Sequence, residues 1–241
     1  MDPDLRGKVA LVTGASRGIG KAIAEELGRC GADVALASRD ASAIAGAAAE
    51  VSAGGAETLA VPADVSREDQ VEELFRRIEA WRGRLDILVN NAGVGSFGPL
   101  RDFPVDDLDR MLAVNVRGTF LCSRAALRLM RPRRSGYIVN IASVVGFKGY
   151  PDQAGYTASK HGVMGLTKSL AVEAQADGIR VSAILPGGVD TDLVGAARPD
   201  LDRSDLMQPG DIARAVLFLL SLPERAAIDE IYIRRRTSRP F

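Results

Sequence analysis

Val9-Ala10-Leu11-Val12-Thr13-Gly14-Ala15-Ser16-Arg17-Gly18-Ile19-Gly20 is the stretch on which the fold turns. Four apolar residues make a short run, Thr13-Gly14 stops it, and Ile19, Ile23 and Leu27 then recur at four-residue spacing. That is a strand, a turn and the apolar stripe of a helix. The unit repeats along the chain. Residues 34–37 precede an alanine-rich helical stretch over 42–52, and 58–61 form a third short strand. Ser66, three residues before Asp69, resembles the start of a capping box, behind which Val71, Leu74, Phe75 and Ile78 share one helical face. Further strands are expected at 85–89, 137–142, 181–185 and 230–233, with helices over about 105–130, 156–176 and 211–220. Strand runs that are apolar throughout need cover on both faces, which a parallel sheet between two helix layers provides. The expected fold is a doubly wound α/β sandwich.

The composition fits that architecture and excludes others. The 241 residues are 46% hydrophobic and 26% charged, enough for one large core, and no linker-like break divides them, so residues 1–241 read as a single domain. The 31 Lys and Arg balance 31 Asp and Glu, leaving no net field to recruit nucleic acid or an anionic membrane. Cys30 and Cys122 cannot build a multi-bridge scaffold, and with His161 the single histidine they cannot build a zinc cluster, so no metal site is expected. No apolar run approaches the roughly 18 residues of a membrane span, and the acidic, polar residues 1–8 are unlike a secretion signal. A soluble cytoplasmic protein is expected. Residues 187–209, with Gly195, Pro199 and Pro209, are the least regular stretch and are expected to form a lid. Arg234, Arg235, Arg236 and Arg239 make residues 234–241 a basic tail, read as solvated or salt-bridged at a subunit contact rather than as an RNA-binding arm.

In a doubly wound sheet the ligand crevice lies beyond the carboxyl ends of the strands. The turn from Gly14 through Gly18 to Gly20 falls there, where glycines let backbone approach a pyrophosphate and the free N–H groups of a helix start receive its charge. Its spacing departs from G-x-G-x-x-G, and a tight turn without a ligand is the alternative. Four more motifs follow in order: Asn90-Asn91-Ala92-Gly93 after the fourth strand, Ser143 after the fifth, Tyr156-Thr157-Ala158-Ser159-Lys160, and Pro186-Gly187 after the sixth. Together they resemble the short-chain dehydrogenase/reductase family, from about residue 7 to about residue 192. The resemblance implies a Rossmann-like three-layer sandwich with a mostly parallel seven-stranded sheet. It also implies an NAD(P)-dependent oxidoreductase for a small carbonyl or alcohol, assembled as a homodimer or homotetramer through the helices over about 105–130 and 156–176. The likeness weakens at the end, where relatives have a Gly-rich segment and this chain has Ala227-Ile228-Asp229-Glu230-Ile231-Tyr232-Ile233.

By that resemblance the cofactor-binding residues are Gly14, Ser16, Arg17, Gly18, Ile19, Ser38, Arg39, Asp64, Val65, Asn91, Ala92, Gly93, Tyr156, Lys160, Pro186, Gly187, Val189 and Thr191. Asp64 and Val65 match the adenine contact, and Thr191 the position that bonds the nicotinamide carboxamide. Read without the resemblance, Asp64 and Thr191 are each a helix cap. Ser38 and Arg39, just past the second strand, offer a donor and a fixed cation to a 2′-phosphate, with Arg17 as a second cation, which favours NADP(H) over NAD(H). Asp40 is the contrary evidence, since an acidic side chain at the ribose would select NAD.

Tyr156 and Lys160, four apart on a helix, share a face. A nearby ammonium, helped by a cationic oxidised nicotinamide, stabilises phenolate, so Lys160 is expected to lower the Tyr156 pKa and fit it for proton exchange with an alcohol or ketone oxygen while hydride moves at the nicotinamide. Ser143 would bond the same oxygen, Lys160 would also hold the nicotinamide ribose, and Asn115 matches the family's fourth catalytic residue, which anchors a water behind the lysine. His161 lies around the helix from Lys160 and reads as a packing or surface residue. The competing functions are an NAD-linked alcohol dehydrogenase and a non-catalytic nucleotide-binding regulator. Phe97, Val145, Phe147 and Tyr150 suggest a moderately apolar pocket, with no arginine visibly placed to clamp a carboxylate.

Overall fold

The computed structural model describes residues 2–197 and 202–239; Pro199 of the expected lid and residues 240–241 of the tail lie outside them. Seven strands, β1 (Val9–Thr13), β2 (Asp33–Ser38), β3 (Thr58–Pro62), β4 (Ile87–Asn90), β5 (Gly136–Ile141), β6 (Ile179–Gly187) and β7 (Glu230–Arg234), form one sheet in the order β3-β2-β1-β4-β5-β6-β7. Every neighbouring pair is parallel. Among the described residues eight α-helices accompany it: α1 (Gly18–Arg29), α2 (Ala41–Ala53), α3 (Glu68–Arg82), α4 (Val105–Met111), α5 (Gly118–Met130), α6 (Ala154–Gln175), α7 (Asp192–Ala197) and α8 (Pro209–Ser221).

The two cores follow from the pleat. Along β1, Ala10 and Val12 face one way and join Ile23, Leu27, Ile44 and Val216 beneath α1, α2 and α8. Val9 and Leu11 face the other way, against Leu74, Ile78, Leu121 and Cys122 of α3 and α5. All five residues of β1 are buried, which is why its sequence is apolar without alternation. Cys122 is fully enclosed, and burial pushes its thiol up to about 12, whereas Cys30, at the end of α1, is partly exposed; both are free.

Three expectations about elements need correction. The helix expected to begin at Ser66 begins at Glu68, because the Ser66 amide and hydroxyl are both taken by Asp64 Oδ1, at 2.9 and 2.7 Å. The helix expected over 105–130 is interrupted by a π-helical turn, Leu112–Arg117, between α4 and α5. The supposedly irregular 187–209 contains α7, and Val189 pairs with Met207 through Asp190 N–H to Met207 O (2.8 Å) and Met207 N–H to Gly188 O (3.0 Å). Among the described residues no helix is long and apolar enough to cross a membrane.

Candidate active site

The sheet order reverses beside β1, and the strands there end in a cleft of about 1000 Å³. Its entrance is the turn 14–17. Gly14 has φ +64°, and an added Cβ would lie 2.8 Å from Ala92 Cα, so only glycine lets the β1 turn and the β4 loop meet. The Thr13 hydroxyl accepts from Asn91 and Ala92 N–H, both at 3.1 Å, and Asn91 Nδ2 donates to the Thr13 and Gly14 carbonyls at 3.0 and 3.1 Å. These bonds fix the turn against the floor. No side chain caps α1, and no acidic residue lies in its first turn, so its leading N–H groups face the cleft without an anion of the protein's own. That opening fits a pyrophosphate.

At the far end of β2, Ser38 and Arg39 line the cleft. Asp40 lines it too, but its Oδ1 accepts from Ala43 N–H at 2.9 Å and caps α2. Among the described residues Arg39 has no carboxylate within ion-pair distance. Arg17 lines the cleft as well, and its guanidinium pairs with Asp192 of α7 at 3.1 Å across the mouth.

The other end is built by β5, α6 and β6. Tyr156 stands in the first turn of α6, buried, with the Phe97 ring edge-on at 5.5 Å and Ser143 close enough to counter the effect of burial on its phenol. Ser143 Oγ also accepts from Val145 N–H at 3.3 Å. One turn on, Lys160 is buried with Nζ 5.8 Å from the Tyr156 ring centre, donating to Ile141 O at 3.0 Å. Without the positive nicotinamide that the expectation includes, burial dominates: it raises Tyr156 to about 12 against the opposing influence of Ser143, and lowers Lys160 from 10.5 to about 8. His161 faces away, its Nδ1 3.0 Å from the Thr157 carbonyl.

Of the predicted residues only Asn115 is absent from the cleft wall. It lies behind, in the π-helical turn, and its carboxamide is fully engaged: Oδ1 accepts from Val94 N–H, and Nδ2 donates to Val94 O and to Ser159 Oγ, all at 2.9 Å. Its main-chain carbonyl accepts from the Thr119 hydroxyl at 2.7 Å. Gly187, Val189 and Thr191 line the cleft, as do Pro186, Asp64 and Val65. Thr191 is also a cap, its Oγ1 3.4 Å from Val194 N–H, whereas Asp64 holds Ser66 ahead of α3 and makes no cap bond to that helix.

Sequence reasoning missed the braces. Thr13 and Ser159 lie inside quoted motifs yet were given no task, and the buried pair Asn90–Asn140, joined at 2.9 Å, carried no local signal. Phe147 does not line the cleft; it is exposed and packs edge-on against Tyr232 at 6.4 Å. The basic tail does not trail away either: Arg234, Arg235 and Ser238 line the cleft.

Residues 8–202 match the family model for short chain dehydrogenase. The chain belongs to the short-chain dehydrogenase/reductase family. This short-chain dehydrogenase is 40% identical over 230 residues to a 3-oxoacyl-[acyl-carrier-protein] reductase of Synechocystis sp., with 93% of each chain covered. A metagenomic short-chain oxidoreductase solved in complex with NADP is 37% identical, with a TM-score of 0.85 over 98% of this chain and 100% of that one. An alcohol dehydrogenase from the archaeon Thermococcus sibiricus, complexed with 5-hydroxy-NADP, is 32% identical with a TM-score of 0.90 over 97% and 99%. The short-chain dehydrogenase is therefore an NAD(P)-dependent oxidoreductase. Among its described residues no group of three or more His, Cys, Asp or Glu is placed to hold a metal.

Proposed function

We propose that this short-chain dehydrogenase interconverts a carbonyl and a secondary alcohol, with NADP(H) as its preferred cofactor. The observation that carries the reading is the buried Tyr156 side chain on the cleft wall, with Ser143 in the same wall and Lys160 Nζ, one helical turn on, 5.8 Å from its ring centre. A nicotinamide bound beside them supplies or accepts hydride at the substrate carbon. In reduction, Tyr156 Oη gives its proton to the carbonyl oxygen as that oxygen gains charge, and Ser143 Oγ donates a second hydrogen bond to it. A phenol held near 12 is fully protonated at neutral pH and ready to act as the acid. In oxidation the charged Lys160 favours the phenolate, and it reaches the ribose side of the cleft. Asn115 positions the Val94 loop and Ser159 rather than touching substrate.

The preference for NADP rests on Ser38 and the unpaired Arg39, on the commitment of Asp40 to α2, and on the NADP-type ligands of two solved relatives. The described residues of 187–209 act as a lid over one domain, held at the mouth by the Arg17–Asp192 pair and by the contact between Arg203 and Asp190. Two free cysteines suit a reducing cytoplasm.

The test is Tyr156→Phe. Reduction of a panel of ketones should fall by about 10²–10⁴-fold while NADPH still binds by fluorescence titration. Undiminished turnover removes the proton-transfer role, and a native protein that binds NADPH but reduces no carbonyl is a regulator instead. For the cofactor, Arg39→Asp should shift the NADPH-to-NADH efficiency ratio towards NADH by about tenfold or more. A native preference for NADH overturns that part.

A further inference from the structure

The sheet serves as a ruler for the cleft. Arg39 follows β2 and Arg235 follows β7, five strand spacings or about 24 Å apart; the glycine turn after β1 is four spacings, about 19 Å, from β7. Arg235 therefore belongs to the end of the cleft that holds Ser143 and Tyr156, away from the regions where the cofactor's phosphates would lie.

Its position is built. Arg234, the last residue of β7, donates from one guanidinium nitrogen to the carbonyls of Arg235, Arg236 and Ser238 at 3.0, 3.3 and 2.6 Å, fastening the tail into a turn. That turn lays Arg235 across Gly188, where an added Cβ would meet Arg235 Cδ and Nε at 2.8 Å. Gly188 has φ +73° and follows the last residue of β6, so the missing side chain makes room for the arginine. A second cation stands nearby in the wall. Lys148 Nζ is 5.6 Å from the Tyr150 ring centre and 5.8 Å from that of Tyr232, and Tyr232 packs on the cluster containing Val144, Val145 and Tyr156. The two tyrosine hydroxyls hold this ammonium above the usual lysine range.

Neither cation has a carboxylate within ion-pair distance among the described residues. Of the other carboxylates lining the cleft, Asp190 is engaged by Arg203 and Asp192 by Arg17. Asp40 and Asp64 belong to the opposite half. An apolar floor of Phe97, Val145 and Tyr156 thus meets a rim that carries positive charge without a counter-ion. We propose that Arg235 and Lys148 recognise an anionic group on the substrate, so that the preferred substrates are carbonyl compounds carrying a carboxylate. The inference rests on the carbonyl-reducing reading for which end of the cleft reacts, and it makes the C-terminal turn part of the specificity machinery.

The test compares 2-, 3- and 4-oxopentanoate with their methyl esters as NADPH-dependent substrates, and dihydroxyacetone phosphate with dihydroxyacetone to separate carboxylate from phosphate. The native protein should favour at least one acid over its ester by about tenfold or more in kcat/KM, chiefly through KM. Arg235→Gln and Lys148→Met should each reduce that ratio severalfold, and 0.5 M salt, on the order of strong screening, should compress it. Equal use of acid and ester, or a ratio that survives both substitutions, overturns the proposal, as does a preference confined to the phosphate. Calorimetric binding of pentanoate against pentanamide reads the cations without hydride transfer. Turnover without acid preference sinks this inference and leaves the reductase reading standing. Pentanoate binding that Arg235→Gln abolishes, with no carbonyl turned over, does the reverse.

Discussion

Lys160 keeps an ammonium where burial disfavours charge, with only the Ile141 carbonyl to bond it. In the unfolded chain the group titrates near 10.5, in the folded chain near 8, so between these values the unfolded state binds more protons. The cost of the buried charge is fully present below pH 8 and is relieved as pH rises towards 10.5. Relative to Lys160→Met, the cofactor-free protein should therefore gain on the order of 2 kcal/mol between pH 7.5 and about 10, measured by urea unfolding at each pH. Parallel curves would mean that the ammonium is not buried in solution. Above about 10 the raised Tyr156 acts oppositely, because the unfolded phenol loses its proton first. Residue identity at this site was legible because Tyr156 and Lys160 are joined by helix geometry alone. The direction of their pKa values was not, since burial comes from Phe97, Met111, Val144 and Val145, none of which is adjacent in sequence.

At the scale of elements, the π-helical turn between α4 and α5 is what aims Asn115 at the β4 loop. Asn115→Ala removes one buried and two partly buried hydrogen bonds and leaves Val94 N–H, Val94 O and Ser159 Oγ without that partner. The expected loss is about 2–4 kcal/mol in chemical denaturation, with a lowered kcat as the Val94 loop loosens. A stability change below about 0.5 kcal/mol would show that water replaces the carboxamide. Strands and most helices were readable from apolar runs and four-residue stripes, as β1 and α1 illustrate. The π-helical turn was not, because inserting one residue into a helix leaves the stripe on both sides intact. The start of α3 was misread for a related reason: Ser66 has cap chemistry, but Asp64 claims its hydroxyl first. The structure in 187–209 depends on a pairing between Val189 and Met207 that no local pattern encodes.

On the scale of the whole molecule, Leu112, Ala113, Val116, Phe120 and Leu166 line a shallow apolar depression formed by the π-helical turn, α5 and α6. Phe120 is 47% exposed and Val172, further along α6, is 74% exposed. These are the helices through which the family resemblance expects subunits to meet. Sedimentation should find the native protein as a dimer or larger, and Phe120→Glu should weaken that association by about tenfold or more. Monomers in both samples would count against assembly through this face. The two cysteines, finally, form a pair of clocks. A maleimide can reach the half-exposed Cys30 in the native molecule, but Cys122, sealed between α5 and the sheet, waits until those layers part. Its labelling half-life thus counts openings of the core without any engineered probe, and a bound dinucleotide lengthens each interval in proportion to how tightly it holds the closed form.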